Sequence, residues 1–187
     1  LIIVIIFLSS VSLIEAQIST SSPYSRFGLG ELHQNIFPEF NSFGGASIAL
    51  NNSKSINPNN PATYTSFSPN SFLLSTGGWH QTTEIKTETA QQTANNNAFS
   101  HLVLGFPLSK KIGVSCGMIP FSSTGYEMSI DVVDLNDPNQ RATANYYGDG
   151  GLSKIYFGGA YEFSDEISVG VNATYLFGGL NRRKQLV

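Results

Sequence analysis

Residues 152–178, LSKIYFGGAYEFSDEISVGVNATYLFG, constrain the fold of this chain more than any other segment. Two runs alternate between apolar and small or polar residues with period two, and a polar turn at residues 164–166 separates them. The apolar positions of each run fall on one face of a strand: Ile155, Phe157, Gly159, Tyr161 and Phe163, then Ile167, Val169, Val171, Ala173, Tyr175 and Phe177. The pattern predicts an antiparallel hairpin with one continuous apolar face.

The length of the second run indicates what covers that apolar face. Ile167 to Phe177 spans about 33 Å at about 3.3 Å per residue, and a strand tilt of about 40° reduces this to a height of about 25 Å. That height equals the apolar band of an outer-membrane β-barrel. The opposite face carries Ser168, Asn172 and Thr174, which suit a polar lumen. The hairpin therefore predicts strands that cross a membrane.

The overall composition agrees with a barrel. Hydrophobic residues make up 41% of the chain and charged residues only 12%, whereas soluble domains carry about 25% charged residues. The near-neutral mean hydropathy of −0.04 is the average of an apolar outer face and a polar inner face. The formal net charge of −3 gives no basic excess, so nucleic acid is not predicted as a partner.

The first residues, LIIVIIFLSSVSLIEAQ, predict a secretory signal peptide at residues 1–16 with cleavage after Ala16. A membrane anchor is the alternative, but the run is shorter than about 20 apolar residues and contains serines. Export and a barrel together predict the cell outer membrane of a Gram-negative bacterium. Cys116 is the only cysteine, so no disulfide forms within the chain, and a small apolar role is predicted for it.

Residues 17–69 lack sustained alternation and are rich in Ser, Asn, Pro and Gly. Such a segment could be a disordered lead-in. Its aromatic residues argue instead that much of it packs against other parts of the protein, and we predict a plug or hatch inside the barrel: Phe27, Phe37, Phe40, Phe43 and Tyr64.

Residues 70–187 predict the strands of an incomplete barrel. Short turns at 109–111 and 164–166 alternate with long loops at 81–97 and 131–140, as in barrels with short periplasmic turns and long outer loops. Five strands are an odd number and fewer than the eight of the smallest barrels, so we expect further strands. Several short chains that together close one barrel are the alternative. The predicted strands are 71–80, 98–108, 112–130, 141–163 and 167–183.

Four stretches resemble a known family: SPYSRFGLGEL at 22–32, GGASIAL at 44–50, NPA at 60–62 and the run at 150–178. They are similar to Bacteroidota outer-membrane proteins related to the FadL-type transporters of hydrophobic compounds. That resemblance implies an all-β transmembrane barrel of about fourteen strands with an N-terminal luminal hatch. It also implies that Asn60, Pro61 and Ala62 lie in the hatch. An ordinary linker turn is the alternative for these three residues.

The sequence predicts no enzyme, catalytic residue, cofactor or metal site. His33, His80 and His101 are scattered without ligand spacing, and common catalytic motifs are missing from the sequence. Asp131, Asp134 and Asp137 could bind calcium weakly, but their spacing does not match an EF-hand, and solvated loop acids are favoured.

The resemblance predicts passive uptake of small hydrophobic compounds such as fatty acids. The alternative is a structural or partner-binding barrel that resembles the shuttle component of type IX secretion. The expected partners are outer-membrane lipid, a hydrophobic small molecule and, in the alternative, secretion-system proteins. A stable protein partner and an empty lumen would favour the alternative, whereas substrate identity and ligand contacts stay open.

Overall fold

The structure of the protein is a computed structural model, which describes residues 20–33, 37, 40, 43–86, 91–133 and 141–186. These residues form an all-β fold, as predicted. The predicted signal peptide, Asp134 and Asp137 lie outside the described residues. The described part has six strands and two short 3₁₀ helices, Pro23–Arg26 and Pro61–Ser66. The strands are β1 (Glu31–Leu32), β2 (Leu73–Lys86), β3 (Gln91–Pro107), β4 (Ile112–Val133), β5 (Arg141–Ser164) and β6 (Ile167–Leu186).

The strands form one open antiparallel sheet in the order β2-β3-β4-β5-β6, and β1 pairs with β4 beside this path. The longest ladder joins β4 to β5, from the Ile112 and Tyr161 pair to the Val133 and Arg141 pair. A turn at residues 165–166 joins β5 to β6, within the predicted 164–166 turn. The predicted ends of β4, β5 and β6 therefore agree with the structure to within a few residues.

The long loop predicted at residues 81–97 is wrong. β2 and β3 instead continue as one hairpin to the pair formed by Lys86 and Gln91. Polar side chains bond across this part of the ladder: the Thr82 hydroxyl donates to the Asn95 side-chain oxygen at 2.8 Å. Because both faces are polar here, the hairpin carries no apolar alternation by which sequence could reveal it.

One face of the sheet, the exposed face, carries apolar side chains in rows that cross four strands. Leu102, Met118, Ile155 and Tyr175 form one such row, because each residue is paired with the next. Tyr175 is 72% exposed. The apolar face predicted for the 152–178 hairpin is confirmed as an exposed surface. Among the described residues, no helix is long and apolar enough to span a membrane.

The other face, the covered face, packs against the N-terminal segment, by which we mean the described residues from 20 to 70. Phe37, Phe40 and Tyr64 are buried, which agrees with their predicted packing, whereas Phe27 and Phe43 are exposed. The segment and the sheet share one apolar core: Phe37, Phe40, Ile56, Tyr64, Phe67, Val103, Ile119, Tyr156 and Ala160. The chain thus has one face covered by its own residues and one face uncovered.

Candidate functional site

The Asn60–Pro61–Ala62 motif begins the second 3₁₀ helix. Pro61 is the first residue of that helix, where its fixed φ suits the turn and its missing N–H costs no bond. The side-chain amide of Asn60 donates to the Ile48 carbonyl at 2.8 Å, which ties the motif to an earlier part of the segment. Asn60 therefore bonds a distant backbone group with its amide, and its own carbonyl accepts from the Thr63 N–H at 3.1 Å.

The motif lies against the covered face of β6. The Asn172 amide donates to the Pro58 carbonyl at 2.8 Å, and the Tyr64 hydroxyl donates to the Asn172 side-chain oxygen at 3.1 Å. Gly170 allows the backbone to come close, because a Cβ there would lie 2.5 Å from the Ala62 nitrogen. These contacts fasten the motif to the sheet, and its role as a hatch stays a prediction.

Tyr64 is the centre of this attachment. Its side chain is fully buried, and its ring stacks on Phe67 with centroids 5.7 Å apart. Burial raises the pKa of the Tyr64 hydroxyl, and the hydrogen bond to Asn172 partly opposes that shift. The hydroxyl therefore stays protonated and remains a hydrogen-bond donor. Gly113 on β4 permits this packing, because a Cβ there would overlap the Tyr64 carbonyl.

The sheet divides between β3 and β4. These strands pair only from Leu102 and Met118 to Pro107 and Gly113. Beyond Met118 the described residues show no β3–β4 pairing, and we call the gap between residues 91–101 and 119–133 the seam. β1 occupies part of the seam, where it pairs with Ser122 and Ser123 of β4. The sequence predicted neither β1 nor the seam.

Polar side chains of the N-terminal segment bond to both strands that border the seam. The backbone N–H of Gly125 donates to the Ser25 hydroxyl oxygen at 3.1 Å, and the Ser21 hydroxyl donates to Asn96 at 3.0 Å. The hydroxyls of Ser122 and Ser123 are buried behind β1 without a hydrogen-bond partner among the described residues. Near β1 the seam is therefore occupied by polar groups, some with and some without a hydrogen-bond partner, rather than by an apolar core.

Above β1 the seam opens into a cavity of about 560 Å³. Two carboxylates, those of Glu127 and Asp149, belong to its lining, and none of the described lining residues is a lysine or arginine. The lining comes from the N-terminal segment, from one residue each of β2 and β3, and from β4 and β5. The lining residues are Thr20, Ser21, Pro23, Ile85, Gln92, Gly125, Tyr126, Glu127, Met128, Tyr147, Gly148 and Asp149.

Basic side chains hold the N-terminal segment at the same end of the sheet. The Arg26 guanidinium lies 4.5 Å from the centre of the Tyr146 ring, a cation–π contact. The Arg182 guanidinium donates to the Gly28 carbonyl at 2.6 Å. Together with the contact between Tyr64 and Asn172, these fasten the segment to β5 and to both halves of β6.

The three histidines occupy separate environments. His101 is buried, its ring nitrogens lie 2.9 Å from the Ser75 hydroxyl and 2.6 Å from the Ser100 hydroxyl, and its ring packs on Phe37. His80 lies on the polar part of β2, where its Nδ1 is 2.7 Å from the Asn97 side-chain oxygen. His33 lies in the seam, and its ring packs beside the ring of Trp79 with centroids 5.8 Å apart. The serines beside His101 were not predicted, since they come together only through strand pairing.

The described residues contain no group of three or more His, Cys, Asp or Glu side chains that could hold a metal ion. Asp131 lies at the end of β4, where it accepts a hydrogen bond from Thr143. Cys116 is half-buried in a row of the exposed face, which suits the small apolar role predicted for it.

The fold and the seam define a class: an antiparallel sheet with one exposed apolar face, a second face covered by an N-terminal segment, and a cavity between two of its strands. A family model described as BamG matches residues 1–187. The chain belongs to the BamG family. No curated protein and no solved structure matches it.

Membership in the BamG family shows that the predicted FadL-type resemblance is wrong. Passive uptake of fatty acids and other hydrophobic compounds is wrong with it, and the alternative of a barrel that resembles the type IX shuttle is likewise not supported. The reason is physical: alternating strands with short turns are general features of transmembrane β-barrels and are not specific to one family. Those features could not distinguish one barrel family from another. Membership agrees with a place in the cell envelope and with protein partners.

Proposed function

We propose that this chain is an outer-membrane protein that takes part in the assembly of other outer-membrane proteins, as a component of the BAM complex. Its membership in the BamG family is the observation that carries this proposal. The chain would act by binding proteins of that machinery and would have no enzymatic activity. The seam and the N-terminal segment that lies in it give the chain surfaces for such contacts.

The exposed face supports a membrane location. Its apolar rows cross β3 to β6 without interruption, and Val171 and Phe157 are 71% and 64% exposed. An apolar surface of this extent is a liability in water and is stable against lipid tails. In our proposal the exposed face contacts outer-membrane lipid, while residues 17–69 form the plug on the opposite side.

The free edges of the sheet support a closed barrel. Among the described residues, no strand pairs with the outer edge of β2 or of β6. Unpaired backbone groups cannot face lipid, because each one would lose a hydrogen bond that water otherwise provides. We therefore propose that further strands continue the sheet until it closes as a barrel. Asn60, Pro61 and Ala62 would then fasten the plug to the barrel wall.

Affinity purification and depletion of the full-length protein test the proposed function. The tagged protein, purified from detergent-solubilised outer membranes, should bring BAM components with it in a fixed ratio. Depletion should lower the amount of folded outer-membrane barrels, measured by their heat-modifiable migration, while a soluble periplasmic protein serves as the control. Unchanged levels of folded barrels after complete depletion would refute the proposed function.

A further inference from the structure

We propose that the open end of the seam is a strand-addition site for an extended, basic segment of a partner protein. This inference rests on the proposed function, since it names where an assembly partner binds. It has four supports: the direction of backbone groups on β4, the strand that already occupies the same edge, the charge of the cavity, and the position of the seam relative to the apolar rows.

The backbone of β4 points unpaired groups into the seam. In an antiparallel strand the N–H and C=O of every second residue face the same edge. The N–H of Gly125 points into the seam, where it donates a hydrogen bond to the Ser25 hydroxyl oxygen. Glu127 and Ser129 follow at the same alternation, so their N–H and C=O groups face the seam as well. No described strand pairs with them on that side.

The same edge of β4 already accepts a strand. β1 pairs antiparallel with Ser122 and Ser123, and the His33 N–H donates to the Phe121 carbonyl at 2.9 Å. β1 has only two residues, so it leaves the edge above Ser123 uncovered by any described strand. An exposed edge of this kind is a template on which an extended peptide adds with main-chain hydrogen bonds. A partner strand would continue the pairing that β1 begins.

The cavity at this edge has room for a ligand and a negative lining. Its volume of about 560 Å³ lies within the range of about 300–1,000 Å³ that is typical of ligand pockets. Glu127 and Asp149 supply carboxylates, and none of the described residues that line this cavity is a lysine or arginine; two basic side chains, Arg183 and Lys184, line an adjoining pocket that Asp149 shares. Complementary charge therefore favours a segment that carries lysine or arginine.

The seam lies beyond the apolar rows, so its occupant is a protein segment rather than lipid. The last β3–β4 pair, Leu102 and Met118, belongs to the row that reaches Tyr175 near the end of the apolar run of β6. Beyond the pair formed by Trp79 and Ala98, β2 and β3 carry mainly polar residues on both faces, from Gln81 and Asn96 to Lys86 and Gln91. An unpaired edge is tolerated where water reaches it and not within the hydrocarbon layer.

Site-specific photocrosslinking of the full-length protein in native membranes tests the inference. Benzoylphenylalanine is placed at Glu127 or at Ser129 in separate strains, and at Tyr175 as the lipid-facing control. Mass spectrometry then maps the captured residues. We expect adducts from the two seam positions on one partner protein, two residues apart, within a segment that contains lysine or arginine.

A charge reversal tests the electrostatic part. With the probe at Ser129, Glu127→Lys should lower the yield of the adduct about five- to tenfold, because it removes one carboxylate and adds a repelling charge. The matched control is Glu166→Lys in the exposed turn between β5 and β6, which should leave the yield unchanged. Heat-modifiable migration must be the same for both variants, so that a folding defect is not read as a binding defect.

Several outcomes would overturn the inference: adducts only with lipid, with this chain's own N-terminal segment, with a second copy of the chain, or at partner residues without the two-residue spacing. The two proposals fail separately. Correctly spaced seam adducts together with normal outer-membrane proteins after depletion would refute the proposed function and support the seam. Recovery of BAM components without spaced seam adducts would refute the seam alone.

Discussion

Placing a charge at Val171 tests the facing of the whole sheet. Val171 is 71% exposed and lies in a row with Phe106, Val114 and Gly159. It follows Ile167, where the apolar run of β6 begins, by four residues. At about 3.3 Å per residue and a tilt of about 40°, Val171 lies about 10 Å above the start of a band about 25 Å high. In the proposed membrane location, Val171 is therefore close to the midplane.

The expected cost of Val171→Lys follows from that depth. A lysine on the lipid face of a barrel costs about 2–4 kcal/mol at the midplane and about 0–1 kcal/mol near the interfaces. Because about 1.4 kcal/mol corresponds to a factor of ten, the folding equilibrium should fall about 30- to 900-fold. The assay is urea-induced unfolding of the full-length protein in lipid bilayers, followed by tryptophan fluorescence and by heat-modifiable migration.

The control for this experiment is Thr174→Lys. Thr174 lies on the opposite face of β6 from Val171, is exposed and pairs with Tyr156 of β5. A lysine at Thr174 should therefore cost less than about 1 kcal/mol of folding free energy. Alternation alone would also permit a charge at Asn172, but the structure advises against this control, because the Asn172 amide bonds Tyr64 and Pro58. An equal loss of stability in the Val171 and Thr174 variants would refute the assigned facing.

Three further predictions concern the N-terminal segment. Gly170→Ala should displace the second 3₁₀ helix and destabilise the fold by about 1–3 kcal/mol, which would appear as faster proteolysis of the segment. In the control, Gly159→Ala, the added Cβ meets no atom within 4 Å, so proteolysis should not become faster. Equal proteolysis rates in the two variants would contradict the packing. Tyr64→Phe removes the hydrogen bond to Asn172 and should cost about 0.5–1.5 kcal/mol in thermal or urea unfolding, and an unchanged midpoint would show that this bond contributes nothing. Burial lowers the pKa of His33, and the nearby Glu31 carboxylate partly opposes this shift. Below about pH 6.5, His33 therefore takes up a proton more readily in the unfolded chain than in the folded chain. Stability should therefore fall as the pH drops from about 8 to about 5, and His33→Gln should show less of this fall; parallel curves for the two proteins would refute the assignment.

Sequence reasoning reached β4, β5, β6 and their exposed face because one physical rule governs each residue there. A strand that has one exposed apolar face and one covered face must alternate at every position, so periodicity reports both its ends and its facing. The turn at 164–166 and the exposure of Val171 and Tyr175 were predictable on this ground. The polar extension of β2 and β3 was not, because outside the apolar region no solvent imposes alternation.

The candidate site was largely beyond prediction. β1 has two residues, too few for any period, and the serines that surround it have no motif. The seam depends on where the β3–β4 ladder ends. The register shift between Pro120 and Ser122 of β4 follows directly, but a proline in the sequence does not tell which neighbouring strand stops pairing. The placement of Asn60, Pro61 and Ala62 against β6 likewise depends on contacts between distant parts of the chain.

The long reach of the N-terminal segment sets an order for folding. Its hydrogen bonds span 100 residues from Ser25 to Gly125, 108 from Tyr64 to Asn172 and 154 from Gly28 to Arg182. The hairpins of the sheet close over much shorter distances, and short loops close first. The N-terminal segment is thus the last part of the described chain to dock. The aromatic side chains of the segment that are buried in the folded protein therefore stay exposed until β6 has formed. During that interval the protein itself depends on protection from aggregation.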